Sequence, residues 1–234
     1  GAAAGRASGI LAEPQPRGRG LGDARVALAA ADDPKAPGAT VTAGIDHAAL
    51  ARLLPHGDLK NFRPPAQQLA ALVDIAGDPR GCVAAAVAGD TLVGYVAFHP
   101  PTEVESWGAD RTGELVELGA MEVASGFRGQ NLARRLLAAS FADQRFDAAV
   151  VFATLYSWHY DLKRADLTDL AYRRMLERLY RSAGFEVYPT SDEEIRSSAA
   201  NALMARIGPE APAAVVAEFH RLRKFQPETL TSAW

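Results

Sequence analysis

The sequence predicts a mixed α/β fold, a mixed sheet with helices on both faces. Three observations predict it. Residues 81–88 and 91–98 are apolar runs joined at Ala88-Gly89-Asp90, the pattern of an antiparallel hairpin. Residues 114–123 form an apolar, β-tolerant run, and from Asn131 the period changes, with Leu132, Leu136, Leu137 and Phe141 at helical spacing. The rest alternates between strand-like and helix-like runs, without an internal repeat.

In chain order, residues 1–40 are rich in Ala, Gly, Pro and Arg, and 1–38 are expected to be a flexible segment. Short strands are expected at Arg25–Ala30 and Ala39–Ala43. Ile45–Leu54 has helical spacing with Asp46 near its start. Pro64-Pro65 fixes an extended turn, and Pro65 suits the first position of a helix over 66–76, with Gly77 as its C-terminal cap. After the hairpin, 100–112 reads as an acidic loop carrying Glu103, Glu105, Asp110 and Trp107, either solvated or attractive to a cationic substrate. Ala148–Leu155 is a central strand, and Leu167–Ala183 an amphipathic helix with Tyr172, Met175, Leu176, Leu179 and Ala183 inward and Gly184 closing it. Strands at Phe185–Tyr188 and Ala202–Ile207 and a helix over Pro212–Phe225 complete the expected domain, 39–226, with a tail at 227–234.

Composition narrows the function. A chain of 234 residues, 48% hydrophobic, can bury a sizeable core. A net charge of −3 argues against a nucleic-acid partner, and the lack of an 18-residue apolar run against a membrane span. One cysteine, Cys82, forbids an internal disulfide and suits a reducing cytoplasm. Cys82 reads as a small core residue rather than a nucleophile, and the five histidines show no metal-ligand spacing, so no metal is expected.

Chemistry concentrates at the turn 124–130. A strand, a glycine-bearing turn and a helix N-terminus present unpaired amides and a positive dipole end, which together favour a phosphate. Arg128, Arg134 and Arg135 add positive charge at the same end. On the preceding strand, period two places Glu117, Gly119, Met121 and Val123 on one face and Glu114, Leu118, Ala120 and Glu122 on the other. A carboxylate buried there has its pKa pushed toward a range useful for proton transfer, and Glu114, Glu117 and Glu122 are the candidates. The alternative is a structural carboxylate satisfied by its neighbours.

The run Arg128-Gly129-Gln130-Asn131-Leu132-Ala133 resembles motif A of the GNAT acyltransferases, Arg/Gln-x-x-Gly-x-Gly/Ala, with Asn131 in place of the central glycine. Tyr180-Arg-Ser-Ala-Gly184-Phe185 resembles the end of their motif B. Further strings narrow the likeness: Phe62-Arg63-Pro64-Pro65, Ala71–Gly77, Leu92–Val96, Glu117–Val123, Trp158–Lys163 and Asn201–Gly208. On these the sequence is similar to the acetoin-utilization acetyltransferases.

The resemblance implies a GNAT fold whose strand before motif A splays from the next strand to admit an acyl-CoA arm. Met121 and Val123 would offer backbone groups to the pantetheine, and residues 128–133 (Arg128, Gly129, Gln130, Asn131, Leu132 and Ala133) would hold the diphosphate. Glu117 would be the base, six residues before Val123. Tyr180 would be the general acid for the leaving thiolate or, alternatively, a core tyrosine. The implied reaction is acetyl transfer from acetyl-CoA to a lysine of acetyl-CoA synthetase, which inactivates it. Two alternatives stand beside it, an acyl-CoA-sensing binding regulator of that synthetase and a small-molecule amine N-acetyltransferase. The Trp158–Lys163 segment is either a docking surface for the partner or a loop packed over the splayed strands, with His159 a hydrogen-bonded histidine rather than a catalyst.

Overall fold

The structure, a computed structural model, describes residues 38–103 and 106–224 together with Val26–Ala27. The flexible segment and tail expected at the two ends otherwise lie outside the described residues. In chain order the elements are β1 (Val26–Ala27), β2 (Thr40–Thr42), α1 (His47–Leu50), β3 (Leu54–Pro55), α2 (Pro65–Gly77), β4 (Cys82–Ala88) and β5 (Thr91–His99). They continue with β6 (Leu115–Val123), α3 (Leu132–Ser140), β7 (Val150–Leu155), α4 (Leu162–Ala165) and α5 (Asp169–Arg181). Last come β8 (Glu186–Tyr188), α6 (Glu193–Arg196), β9 (Ala202–Ile207) and α7 (Ala213–Leu222). No helix among the described residues is long and apolar enough to cross a membrane.

The sheet runs β2-β4-β5-β6-β7-β9-β8, with β1 beside β6 and β3 beside β5. Its β6–β7 pair is parallel and the other pairs along that path are antiparallel, so it is the mixed sheet expected. The hairpin forms as read, with Gly89 at φ +63 in its turn. Leu132, Leu136 and Leu137 of α3 are buried against the sheet, each contributing about 1.5–3 kcal/mol. A Cβ at Gly94 on β5 would crowd the Glu122 carbonyl and the Val123 side chain on β6 and touch Leu136 of α3. A second core packs α7 through Val215, Phe219 and Leu222 onto Val150, Phe152, Leu203 and Ala205. Trp107 is buried in it, stacked on Phe152 at 4.3 Å, and Asp110 accepts from the amides of Thr112 and Leu115. The loop 100–112 thus uses its aromatic and one of its acids on its own packing.

Three local expectations need correction. The helix expected over Ile45–Leu54 ends at Leu50, and Leu54–Pro55 pairs with Thr91–Leu92 instead. Pro55 biases the residue before it toward extended backbone, and the Leu54 amide finds the Asp90 carbonyl at 2.9 Å. Gly77 lies inside α2 rather than capping it, and Asp78 closes the helix by donating to Asp74. The short helix α6 lies in a stretch with no helical reading; its start is made by Asp192, whose carboxylate accepts from the amides of Glu194 and Ile195.

Candidate functional site

Strand β6 is paired to β7 only at Leu115–Glu117, whereas β7 stays paired to β9 along all six of its residues. From Leu118 to Val123 the two strands have parted, and that edge of β6 is free of β7. An extended chain fits it, since β1 lies there in parallel at Met121 and Glu122. Glu117 stands at the apex of the opening, opposite Phe152, and Glu122 nearer its mouth.

The faces of β6 are not those of strict alternation. His99 opposes Glu117 and Phe98 opposes Leu118, but Ala97 opposes Ala120, so Gly119 is one extra residue, a bulge. Directly opposed residues share a face. Glu117, Ala120 and Glu122 therefore lie together with His99, Ala97 and Tyr95, while Leu118, Met121 and Val123 lie on the other face with Phe98, Val96 and Gly94. The expectation that Glu117 and Glu122 face opposite ways, and that Glu117 shares its face with Met121 and Val123, is corrected by this single residue. Glycine is required there: a Cβ would overlap the His99 imidazole.

Both carboxylates are buried. Tyr95 Oη donates to Glu122 Oε2 at 3.0 Å, and the Asn61 amide donates to Oε1 at 2.9 Å. Burial pushes the Glu122 pKa up, and these hydrogen bonds and the Arg128 charge pull it partly back. His99 is held neutral by burial, its Nδ1 2.8 Å from the Pro100 carbonyl. Cys82 is buried and its thiol pushed up, as suits a core residue.

Beyond Val123 the chain makes a short 3-10 turn, Ser125–Phe127, and enters α3. Gly129 has φ +82 and Asn131 φ +58, both left-handed. Ordinary L residues pay roughly 1–2 kcal/mol for that conformation and Asn less, which accounts for the glycine of the related signature and for this substitution. No side chain caps α3 at Asn131, and Gly129 and Asn131 are exposed while Leu132 and Ala133 are buried, so the turn shows its backbone outward.

Its three arginines do not act alike. Arg128 turns inward, with Nε donating to the Val123 carbonyl at 3.0 Å and a guanidinium nitrogen 3.3 Å from Asp161. Arg135 reaches the Ala39 carbonyl, and Arg134 is exposed. The expectation of three cations gathered at the phosphate turn is corrected for Arg128 and Arg135.

Tyr180 on α5 is fully buried, its ring edge-on to Phe185 at 5.2 Å. Its hydroxyl has no hydrogen-bond partner among the described residues. Burial pushes its pKa up, with Tyr160 and Tyr172 adding to the shift. The sequence-predicted Glu117, Met121, Val123 and turn 128–133 are thus contiguous along β6 and the start of α3. Tyr180 comes from a separate helix, α5. Sequence reasoning misses Tyr95 and Asn61, and it names Glu122 as one of three carboxylates on the strand but prefers Glu117.

Tyr156–Asp161 leads off the end of β7. Trp158 is 40% exposed and stacks on buried Tyr156 at 4.5 Å, while Tyr160 stacks on Tyr172 at 4.7 Å. Asn61 Nδ2 donates to the His159 carbonyl, so this segment is tied to the same loop that holds Glu122.

Known proteins with this arrangement agree. The model of the acetyltransferase (GNAT) family matches residues 49–161. The acetoin utilization protein AcuA of Bacillus subtilis (strain 168) is 41% identical over 168 residues, 72% of this chain and 80% of its own. Its Bacillus licheniformis counterpart is 40% identical over the same shares. The crystal structure of an acetoin utilization protein from Exiguobacterium sibiricum 255-15 superposes with a TM-score of 0.78 at 38% identity, covering 80% of this chain and 88% of that one.

Proposed function

The chain belongs to the acetyltransferase (GNAT) family, among the acetoin utilization proteins, and from that premise we propose that it is a protein-lysine N-acetyltransferase. Its donor is acetyl-CoA and its acceptor a lysine of acetyl-CoA synthetase, which the modification inactivates. The observation that carries the reading is the parting of β6 from β7 beside a left-handed turn with outward amides. An extended pantetheine would run along Leu118–Val123 in the place that β1 takes beside Met121 and Glu122, with backbone groups of Met121 and Val123 as its partners and the amides of 128–133 against the diphosphate.

Acyl transfer needs a neutral amine, and a lysine at its ordinary pKa of about 10.4 is neutral only about once in a few thousand molecules at pH 7. Glu117, buried at the apex, takes that proton. The amine nitrogen attacks the thioester carbonyl, the C–N bond forms as the C–S bond breaks, Tyr180 supplies a proton to the thiolate, and the proton lost by the nitrogen as the amide forms replaces the one the tyrosine gave up. The Tyr180 hydroxyl is unpartnered among the described residues, which supports that role, while the burial that raises its pKa makes it a weaker acid. Trp158, held at the rim by Tyr156, suits a macromolecular acceptor. Both substrates place the enzyme in the cytoplasm.

The test is to incubate the protein with acetyl-CoA and the acetyl-CoA synthetase of the same organism, then weigh the synthetase intact and map its peptides. A gain of one acetyl group on a lysine, with loss of synthetase activity, is expected. An unmodified but inhibited synthetase would establish a binding regulator instead, and transfer only to small amines a small-molecule acetyltransferase.

A further inference from the structure

The proposed reaction employs Glu117 and leaves a second buried carboxylate unexplained. Glu122 is 1% exposed and carries two oriented donors on its two oxygens. Burying such a group is unfavourable unless it is hydrogen-bonded, and the donors that compensate Glu122 also fix its orientation. It also sits where only the bulge could bring it. With strict alternation Glu122 would point away from Glu117; the extra residue Gly119 returns it to the same face.

The spacing that results is specific. Counting along β5, Glu117 opposes His99, Ala120 opposes Ala97 and Glu122 opposes Tyr95. Each step covers two residues of β5, roughly 7 Å. A glutamate side chain extends about 5 Å from its Cα, so a group seated over Ala120 is within reach of both carboxylates. The floor under it is two small residues, Ala120 and Ala97, both buried.

Resting on the acetyl-transfer reading above, we propose that Glu122 selects a cationic acceptor by holding its ammonium group over Ala120, and that Tyr95 is a positioning residue acting through Glu122. Glu117 then meets the amine from the apex side and removes its proton, while Glu122 meets it from the mouth. The acceptor class that follows is a primary alkylammonium, the head of a lysine. A neutral hydroxyl acceptor gains nothing from Glu122. Tyr95 is fully buried, its ring rooted on β5, and its hydroxyl fixes one Glu122 oxygen while the Asn61 amide fixes the other. Two donors on one carboxylate restrain its rotation and favour its ionised form, against the burial that raises its pKa.

The groups that face Glu122 are few. They are the Tyr95 hydroxyl from β5, the amides of Lys60 and Asn61 from the loop before α2, and the Arg128 guanidinium from the turn after β6. Removing the Tyr95 hydroxyl takes away one interaction that favours the ionised form, so the Glu122 pKa rises. The pH below which the acceptor is no longer held rises with it.

The experiment uses the full chain with acetyl-CoA and the synthetase as acceptor, and compares wild type, Glu122→Gln and Tyr95→Phe. Glu122→Gln is expected to raise the acceptor KM about tenfold or more while the acetyl-CoA dissociation constant stays within about twofold. Tyr95→Phe is expected to move the acid limb of kcat/KM upward by about one pH unit, a shift that a merely structural role would not produce. A Tyr95→Phe profile that superimposes on wild type overturns the proposal. So does a Glu122→Gln enzyme whose acceptor KM is unchanged and whose kcat alone collapses, which would make Glu122 the proton acceptor. If Glu122→Gln does not fold, Tyr95→Phe decides alone. Wild-type enzyme that fails to modify the synthetase would instead sink the acceptor assignment, and the same variants are then read with a lysine-bearing peptide.

Discussion

The two halves of β6 are built from similar residues and end in different surroundings. Leu115–Glu117 are locked to β7, whereas Leu118–Val123 have left it and keep β5 on one side. Both halves contain buried apolar side chains and one buried glutamate. The lower half is core, and the upper half is one wall of a cleft. The bulge at Gly119 lies at the junction, two residues after the last pair with β7. A bulge bends its strand and increases local twist, so it turns β6 away from a neighbour that continues straight along β9. One residue of register thus decides both where the cleft opens and which carboxylates share a face.

Chemistry offers the largest lever on this comparison. Glu117→Gln keeps the size of the side chain and removes the proton acceptor, and kcat is expected to fall by about 10²–10⁴-fold in steady-state assays, with acetyl-CoA binding retained. A rate within a few-fold of wild type would move the catalytic carboxylate out of the lower half.

Next comes the junction itself. Gly119→Ala drives a methyl group into the His99 ring. The expected cost is about 1–3 kcal/mol, read as a loss of several degrees in Tm, together with a drop in activity as the faces of β6 are disturbed. A variant with unchanged Tm and activity would mean that the bulge does not hold the halves apart.

The turn above the upper half is braced by the Arg128–Asp161 pair, whose side chains are only 2% and 16% exposed. Asp161→Asn removes the carboxylate paired with the buried Arg128 guanidinium. A destabilisation of about 1–3 kcal/mol by chemical denaturation is expected, with a raised KM for acetyl-CoA. Loss of stability without a change in KM would show that the brace supports the fold and not the turn.

The smallest effect is expected at Asn131. Asn131→Gly relieves a left-handed residue at φ +58 and removes a side chain from the turn. Stability is expected to change by under about 1 kcal/mol, and acetyl-CoA to bind a few-fold more tightly in titration calorimetry. Weaker binding would show that the asparagine side chain itself contacts the coenzyme.

The sequence by itself determined the elements that report local physics. The hairpin at Gly89, the strand ending at Val123, the glycine-bearing turn before Leu132 and the helix closed by Gly184 all follow from period and turn chemistry, and all are present. The strand that carries Glu117 and the turn 128–133 were legible for the same reason, since strand, turn and helix are neighbours in the chain. Only the tertiary structure decided the rest. Strict alternation puts Glu117 and Glu122 on opposite faces, because a bulge is defined by the partner strand and leaves no mark in one strand's own pattern. The partners of Glu122 come from residues 61 and 27 positions away, and the partner of Arg128 from 33 away. The parting of β6 from β7 depends on what each strand pairs with on its far side. Periodicity reads the local chain, and a cleft is made by strands that the chain brings together from a distance.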